Sequence, residues 1–233
     1  MRGAKKCVIH VHTNFSPDSN RSIDDLLTAA RLEKIDCLAI TDHDEIRGAL
    51  AAKRKSRDIE IIIGEEISTA DGHLIGLFLK DWIAPGQSAI DTAKQIKAQG
   101  GLVLAPHPFS RLAEDSLNDA MHELVPYLDA IEVCNAQNPL HRDDDRAAAF
   151  ARTHNIPMYA GTDGHLTGNV APCFQMIADF TNAAEFRNAL KDAKLTRGSF
   201  GFGYLFRMGI RHIWDKIASR PLPGYGTNAE LAS

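Results

Sequence analysis

The chain has 233 residues, of which 44% are hydrophobic and 24% charged, with a formal net charge of −4 at pH 7. These values are ordinary for one globular α/β domain and exclude a general electrostatic attraction to nucleic acid or acidic membranes, so any phosphate recognition must be local. The four cysteines stand singly in apolar runs, which predicts reduced core residues rather than disulfides or a cysteine-based zinc finger. Because neither a signal-peptide pattern nor a membrane-length apolar stretch is present, we expect a cytoplasmic protein without a membrane partner.

Short apolar runs alternate with helix-like segments up to about residue 195, which is typical of βα units around a mainly parallel sheet. Their near-continuous apolar character indicates strands buried on both faces. The predicted strands are Cys7–Val11, Cys37–Ile40, Ile59–Ile63, His73–Leu79, Leu102–Ala105, Ala130–Val133, Pro157–Ala160 and Phe174–Ile177. The predicted helices are Ser22–Lys34, Ala89–Gln99, Arg142–His154 and Ala183–Lys191.

The periodic signal weakens after Gly198. We therefore expect one domain over residues 1–198 and a C-terminal extension, residues 199–233, that packs on it or trails from it. The basic, aromatic segment Tyr204–Ile217 could contact nucleic acid or a membrane, but we favour a terminal helix packed on the domain. The segment Pro221–Ser233 resembles a tail.

Histidines and acidic residues stand where predicted strands end. In parallel α/β proteins, functional groups gather at the carboxyl ends of the strands, and alternate side chains of one strand share a side. A single His-x-His pair is weak evidence, but successive pairings of histidine with acid at strand ends indicate one metal site. The residues at these ends are His10, His12, His43, Glu65, Glu66, His107, Asp163 and His165. His73 is an exception because it stands at the beginning of its strand.

Seven segments, in chain order, resemble the motif series of the PHP (polymerase and histidinol phosphatase) family. They are His10–Ser19, Ala39–Asp44, Gly64–Ser68, Gly72–Gly76, Pro106–Pro108, Glu132–Asn135 and Gly161–His165. The resemblance implies a distorted (β/α)7 barrel, similar to a TIM barrel, with a metal site at the C-terminal ends of its strands. It also implies two or three divalent ions, which could be Zn, Mn or Fe, and the hydrolysis of phosphate esters.

The resemblance further implies a ligand set for each ion. The first ion would be held by His10, His12, Glu66 and Asp163, the second by Glu66, His73 and His107, and the third by Asp18, His43 and His165. Glu66 would bridge the first two ions, with the adjacent Glu65 as the alternative bridge. Nitrogen and oxygen donors do not select among Zn, Mn and Fe, so the identity of the metal stays open.

Four residues are candidates for supporting the chemistry. Asp42, Glu132 and Asn135 are placed to orient metal ligands, because a metal-bound imidazole usually donates its other N–H to a carboxylate or carbonyl. Glu132 is interpreted equally well as a loop cap. His43, beside its expected role as a ligand, could help to protonate the leaving alcohol.

Three arginines are candidates for binding substrate phosphate, since guanidinium forms a bidentate fork suited to phosphate. Arg111 follows His107 by four residues, and Arg142 and Arg146 follow the predicted strand that ends near residue 133. Each taken alone also fits a solvated surface arginine. Arg21 belongs to the same group with less weight.

These patterns predict a metal-dependent phosphoesterase that acts on a phosphomonoester or a nucleotide or oligonucleotide phosphate, with a metal-bridging hydroxide as nucleophile. The alternatives are an amidohydrolase-type hydrolase of C–N bonds and a non-catalytic metal-binding module. Histidinol phosphate, nucleoside bisphosphates and 5′-phosphorylated oligonucleotides all fit as substrates, whereas the length of the chain disfavours a polymerase proofreading role. The oligomeric state stays open.

Overall fold

The computed structural model describes residues 3–111, 115–138, 141–201, 203–204 and 206–207. The strands are β1 (Ala4–Val11), β2 (Cys37–Ile40), β3 (Glu60–Thr69), β4 (Gly72–Leu77), β5 (Leu102–Ala105), β6 (Ala130–Asn135), β7 (Met158–Gly164), β8 (Phe174–Ala178) and β9 (Lys194–Thr196). The helices are α1 (Ile23–Leu32), α2 (Arg47–Lys55), α3 (Ala89–Ala98), α4 (Met121–Leu124), α5 (His141–Thr153) and α6 (Ala183–Lys191). A 3-10 turn, Asn118–Ala120, leads into α4.

Strands β1 to β7 close into a barrel because β1 pairs in parallel with both β2 and β7. The β2–β3, β5–β6 and β6–β7 pairs are also parallel, but β4 runs antiparallel to β3 and to β5. Outside the ring, β8 pairs antiparallel with the first half of β1, and β9 pairs with β8. The expected distorted seven-stranded α/β barrel is confirmed, although its sheet is less parallel than the strand pattern indicates.

Strands β3 and β4 form a hairpin that differs from the predicted strand pattern and accounts for the position of His73. The prediction that the third strand ends at Ile63 was wrong, because β3 continues to Thr69 and therefore contains Glu65 and Glu66. A tight turn at Gly72, with φ +126°, reverses the chain. Since β4 runs back, its first residues lie at the barrel end where the parallel strands finish. His73 pairs there with Ser68, so a histidine at the start of a strand faces the same end as those that follow strands.

Most of the predicted helices begin after a residue whose side chain caps the first turn. Ser22 accepts a hydrogen bond from the Asp25 backbone N–H at the start of α1, and Asn182 caps α6 in the same way. Helix α2 was absent from the predicted elements. Its first turn has no side-chain cap, because Ile46 stands at the N-cap position. The helix forms where Ala49 and Ala52 pack against the barrel.

The barrel interior is apolar at the end opposite the histidines. Strand β8 finishes beside Ala4, the first residue of β1, and the chain then enters α6. Phe186 and Leu190 of α6 join one buried cluster with the inward-facing residues of the strands. Helix α6 therefore closes one end of the barrel and leaves the polar cluster at the other.

The four cysteines are buried and free, as predicted from their apolar surroundings. None of the helices among the described residues is both long and apolar enough to cross a membrane. The predicted helix Tyr204–Ile217 falls mostly outside the described residues, and the segment Pro221–Ser233 falls wholly outside them.

Candidate metal centre

The carboxylate of Glu66 lies at the centre of a buried cluster of histidines. Its side chain is 1% exposed. One carboxylate oxygen, Oε2, lies 3.0 Å from His10 Nε2 and 3.2 Å from His12 Nε2. The other, Oε1, lies 3.1 Å from both His73 Nδ1 and His107 Nε2. His43 approaches at 3.6 Å, so five imidazoles surround one carboxylate.

Glu65 lies on the opposite face of β3, as the alternation of side chains along a strand requires. Its Oε2 atom accepts a hydrogen bond of 3.0 Å from the Ile83 backbone N–H. Burial raises the pKa of Glu65 well above its ordinary value, which favours the neutral carboxyl group. The structure therefore brings Glu66 rather than Glu65 among the histidines.

All nine sequence-predicted ligands fall into four overlapping groups whose ligand atoms lie within 4.8 Å of one another. The groups are His10–His12–Asp163, His10–Glu66–His107, His43–Glu66–His73 and His12–Asp18–His43–His165. The residues lie in four strands, β1, β3, β4 and β7, and in the segments that follow β1, β2, β5 and β7, as expected for a site at the end of a barrel. The shared members, such as Glu66 and His12, make the groups neighbours in one centre.

Three of these residues have backbone torsions in the left-handed region that non-glycine residues rarely adopt. The φ angles are +67° for His10, +27° for His107 and +52° for Asp163. At His10 the strand is irregular, since the register of β1 against β2 shifts between Val8 and Val11. Such strain persists where surrounding contacts over-determine it, and it concentrates at functional sites.

The carboxylates of the cluster are ionised at neutral pH. Burial would raise the pKa of Glu66, but the Coulombic field of His10 and His43 holds it well below the ordinary value. The pKa of Asp163 is likewise lowered, against the effect of burial, by the nearby His10 and His12. In return, Glu66 and Asp18 overcome burial to raise the pKa of His43 to about 10. The cluster thus concentrates negative charge that is balanced here by protons on imidazoles and that a cation could balance instead.

Several buried atoms of the predicted ligand residues have no hydrogen-bond partner within the protein. Such atoms are expected where a metal ion binds. Among the described residues these atoms include His12 Nε2, His165 Nε2, His107 Nδ1 and Asp18 Oδ1. A buried polar atom without a partner is costly, and imidazole nitrogen with carboxylate oxygen is a donor set that divalent Zn, Mn and Fe accept. The residues present therefore fit a metal centre.

Glu132 supports two of the predicted ligands at once. Its Oε1 atom lies 2.9 Å from His10 Nδ1, and its Oε2 atom accepts a 2.6 Å hydrogen bond from the His107 backbone N–H. A Cβ atom added to Gly161 would lie 1.5 Å from Glu132 Oε1, so only glycine leaves room for this carboxylate. Asn135 donates from Nδ2 to Glu132 and to Asp163 Oδ2, each at 3.0 Å. Glu132 and Asn135 thus lie where residues that orient ligands were expected.

Asp42, which was expected to orient a metal ligand, forms its hydrogen bonds with Thr13 instead. Its carboxylate accepts hydrogen bonds from the backbone N–H and the hydroxyl of Thr13. Burial raises the pKa of Asp42 to about 7 despite these bonds. A Cβ atom on Gly48 would come within 1.9 Å of Asp42 Oδ2, so the helix after β2 packs directly on the carboxylate. Asp42 therefore joins the segments that follow β1 and β2.

The candidate phosphate-binding arginines contact neighbours around the start of α5. The Nε atom of Arg111 donates to Asp143 Oδ1 at 3.0 Å, and the guanidinium of Arg146 lies 4.2 Å from the centre of the Phe109 ring. Arg142 is exposed. These side chains lie at the rim, and the contacts of Arg111 and Arg146 are with residues other than the predicted ligands.

Arg21 differs from these arginines because it is buried, with 1% exposure. Its Nε atom donates to the Leu166 carbonyl at 2.9 Å, and its Nη2 atom donates to the Asn169 carbonyl at 3.2 Å. Arg21 therefore holds the loop after β7, and the interpretation as a solvated surface arginine does not apply to it.

Sequence reasoning missed two residues that touch the centre. Gln137 approaches His165 Nδ1 at 3.0 Å, and the Tyr204 hydroxyl accepts a 2.7 Å hydrogen bond from the His165 backbone N–H. Gln137 follows Asn135 closely, so its position after a strand was an available signal. Tyr204 is 39 residues from His165, and no local pattern connects them.

A closed α/β barrel with a buried cluster of histidines and carboxylates at one end defines a metal-binding α/β barrel protein. The model of the PHP domain matches residues 9–109, and the model of the PHP-associated region matches residues 141–195. An uncharacterised protein of Methanocaldococcus jannaschii is 39% identical over 150 residues, which cover 59% of this chain and 84% of that protein. The chain belongs to the PHP family.

Solved structures of low sequence identity share the fold. PsfC of Pseudomonas syringae has a TM-score of 0.67 at 17% identity, covering 93% of this chain and 99% of that one. A proposed metal-dependent phosphoesterase of Bifidobacterium adolescentis has a TM-score of 0.58 at 20% identity, with coverages of 82% and 97%. Endonuclease Q, solved with a 27-mer duplex carrying an abasic lesion, has a TM-score of 0.60 at 16% identity, with coverages of 81% and 57%. An amidohydrolase of Chromobacterium violaceum, solved with sulfate and no metal, also shares the fold, with a TM-score of 0.58 at 16% identity and coverages of 82% and 97%.

Proposed function

We propose that this chain is a metal-dependent phosphoesterase that hydrolyses a phosphomonoester or a nucleotide or oligonucleotide phosphate. One observation carries the proposal, namely that five imidazoles surround the buried carboxylate of Glu66. Membership of the PHP family and the likeness to a proposed phosphoesterase and to endonuclease Q support this class of hydrolase.

The proposed ligand sets are those that the family resemblance implies, and each of their members lies in at least one of the four groups of neighbouring ligand atoms. His10, His12, Glu66 and Asp163 would hold one ion, Glu66, His73 and His107 a second, and Asp18, His43 and His165 a third. When bound, such divalent ions, Zn, Mn or Fe, supply Lewis acidity toward phosphoryl oxygens and lower the pKa of the attacking water. Glu66, which reaches histidines with both carboxylate oxygens, is the proposed bridge.

The supporting residues fix which atoms face the ions. With an ion bound, Glu132 would accept a hydrogen bond from His10 Nδ1 and leave the Nε2 lone pair of His10 for the ion. The amide of Asn135 fixes one oxygen of Asp163 and leaves the other toward His10 and His12. These contacts hold the ligands in place before a cation arrives, which lowers the entropic cost of assembling the site.

His43 has two proposed roles that exclude each other at any one moment. Its side chain is 18% exposed, more than the 0% of His10 and His12, so it lies toward the open side of the centre. As a ligand of the third ion it must be deprotonated at the binding nitrogen. With that position empty, Asp18 and Glu66 favour the protonated ring, which could donate its proton to the leaving alkoxide.

Substrate phosphate would be recognised at the rim by Arg111, Arg142 and Arg146. Of these, Arg111 is the favoured candidate because its loop follows His107 and its side chain is 59% exposed. Its ion pair with Asp143 is solvent-exposed on the arginine side and is therefore weak enough to exchange for a phosphate oxygen. The net charge of −4 makes a local contact of this kind necessary for an anionic substrate.

The proposal is tested by phosphate release from the metal-loaded full chain. The substrates are histidinol phosphate, a nucleoside bisphosphate and a 5′-phosphorylated oligonucleotide, each with Mn, Zn or Fe(II) supplied. We expect turnover that a chelator abolishes, that His10→Ala removes and that His122→Ala, an exposed histidine of α4, retains. Turnover unaffected by His10→Ala or by the chelator would contradict the proposal.

One observation favours a second function, since the amidohydrolase of Chromobacterium violaceum has the same fold. Hydrolysis of a C–N bond uses the same metal chemistry and has no need of rim arginines. Amide substrates assayed with the same metals distinguish the two activities. A chain that binds metal but turns over neither class would be a non-catalytic metal-binding module.

A further inference from the structure

The loop that carries His165 is fastened by a tyrosine from beyond residue 198. The phenol oxygen of Tyr204 accepts hydrogen bonds from the backbone N–H groups of His165, at 2.7 Å, and Leu166, at 3.1 Å. Both of these residues are 3% exposed, so water has little access to their side of the loop. Removing the phenol oxygen would therefore take the acceptor away from two buried donors.

The opposite side of the same loop is held by the segment after β1. Ser19 Oγ donates to the His165 carbonyl at 2.7 Å, and the Asn20 backbone N–H donates to it at 3.2 Å. Arg21 Nε donates to the Leu166 carbonyl at 2.9 Å. The peptide units of His165 and Leu166 are thus bound at their N–H groups by Tyr204 and at their carbonyls by residues 19–21.

These backbone contacts determine where the His165 imidazole points. Its Nδ1 atom lies 3.0 Å from both the Asp163 carbonyl oxygen and Gln137 Nε2. Its Nε2 atom faces Asp18 Oδ2, another proposed ligand of the third ion, at 2.9 Å. The ring also stacks on His12, with 4.0 Å between ring centres. A shift of the loop backbone would move this nitrogen away from the other ligands of the third ion.

Tyr204 is itself anchored to the barrel. Its ring stacks on Phe200, with 3.7 Å between ring centres and 9° between ring planes. Phe200 is 5% exposed, and its backbone N–H donates to the Ala136 carbonyl at 2.9 Å, just after β6. The Tyr204 ring that binds the His165 backbone is therefore held in place by Phe200.

We propose that Tyr204 is a positioning residue for the third ion, acting through the backbone of His165. The inference rests on the proposed function, because it takes His165 as a metal ligand. The proposed ligands of the second ion, Glu66, His73 and His107, include none of the residues whose backbone Tyr204 binds, so the second ion does not depend on it. Part of the chain beyond residue 198, which the sequence indicates as an extension, would then set how tightly the third ion is held.

The test is a titration of the metal-free full chain with Mn²⁺ alone, followed by calorimetry, in Tyr204→Phe. This variant keeps the ring stacked on Phe200 and removes only the acceptor oxygen. We expect unchanged affinity for the first two ions and an affinity for the third that is lower by about 10- to 100-fold, as for other residues that orient a metal ligand. Tyr127→Phe, which alters a tyrosine packed on a different core cluster, serves as the matched control. Ser19→Ala removes a hydrogen bond to the His165 carbonyl of the same loop. This variant should also lower the affinity for the third ion.

The outcomes separate the inference from the proposed function. A Tyr204→Phe protein that binds the third ion as tightly as the wild type overturns the inference and leaves the proposed function standing. Equal weakening of all ions, or a wild type that binds only two, also overturns the inference. A wild type that binds no ion at all overturns the proposed function itself.

Discussion

Glu132 Oε1 lies 2.9 Å from His10 Nδ1, with both side chains at or below 1% exposure. The carboxylate reaches this nitrogen from the far side of the imidazole, so the ring presents Nε2 to Glu66 and Asp163. A buried carboxylate without a partner would be costly, and the contacts of Glu132 with His10, His107 and Asn135 account for its position. The arrangement links a residue without a metal contact of its own to the proposed first and second ions.

Replacing Glu132 by glutamine should weaken metal binding without removing a ligand. Glutamine keeps the shape of the side chain but cannot accept from both His10 and the His107 backbone with the strength of a carboxylate. We expect the metal affinity to fall about 10- to 100-fold, measured by calorimetry with Mn²⁺. Glu123→Gln, at an exposed position of α4, is the control. Equal affinities for the two variants would show that Glu132 does not orient the ligands.

A single methyl group at residue 161 should act on the same contact. In Gly161→Ala the new Cβ would lie 1.5 Å from Glu132 Oε1, which forces the carboxylate away from His10. We predict both a lower melting temperature and weaker metal binding. Gly201→Ala, where a Cβ meets nothing within 4 Å, should leave both unchanged. If Gly161→Ala binds metal normally, the position of Glu132 is not critical.

The buried Glu65 should make folding stability depend on pH. Burial raises its pKa in the folded state well above the ordinary value of 4.5, so the folded chain holds a proton that the unfolded chain releases above pH 4.5. The free energy of unfolding therefore falls as pH rises through this range. Glu65→Gln removes the effect, so its stability relative to the wild type should grow as the pH rises above 4.5 in urea unfolding experiments. A constant difference across that range would contradict a neutral Glu65.

Arg111 should contribute to substrate binding more than to the chemical step. Its side chain lies at the rim and pairs with Asp143, away from the predicted ligands. For Arg111→Ala we expect KM for a phosphate ester to rise about tenfold, the value of one charge-assisted hydrogen bond, with kcat changed little. Arg31→Ala, which breaks an exposed ion pair with Asp58, is the control. An unchanged KM would remove Arg111 from the phosphate contacts.

Local patterns were sufficient for much of the fold and for the residues of the cluster. Helix α6 has the predicted bounds, because Asn182 is a capping residue and Phe186 and Leu190 recur at helical spacing. Eight of the nine predicted ligands come together because the carboxyl ends of parallel strands must meet at one end of a barrel, and His73 joins them because β4 runs antiparallel. The family resemblance then supplied how they divide among ions, which strand patterns alone do not determine.

Other features depend on contacts distant in sequence. The direction of β4 could not be predicted, since an apolar run has no sign that shows whether it pairs parallel or antiparallel. Arg21 looked like a surface residue because its partners, the carbonyls of Leu166 and Asn169, are about 145 residues away. The hydrogen bond between Tyr204 and His165 likewise joins residues that are far apart in sequence. The boundary at residue 198 stays a prediction, although Phe200 and Tyr204 pack against the barrel.

The most direct test of the metal centre compares two adjacent glutamates. Metal content per chain, by elemental analysis, and chelator-sensitive phosphate release are measured for the wild type, Glu66→Gln and Glu65→Gln. We predict that Glu66→Gln loses bound metal and loses turnover by more than about 100-fold, the upper range for a residue that only orients a ligand, while Glu65→Gln retains both. A Glu66→Gln protein that keeps its metal and its rate would contradict the account.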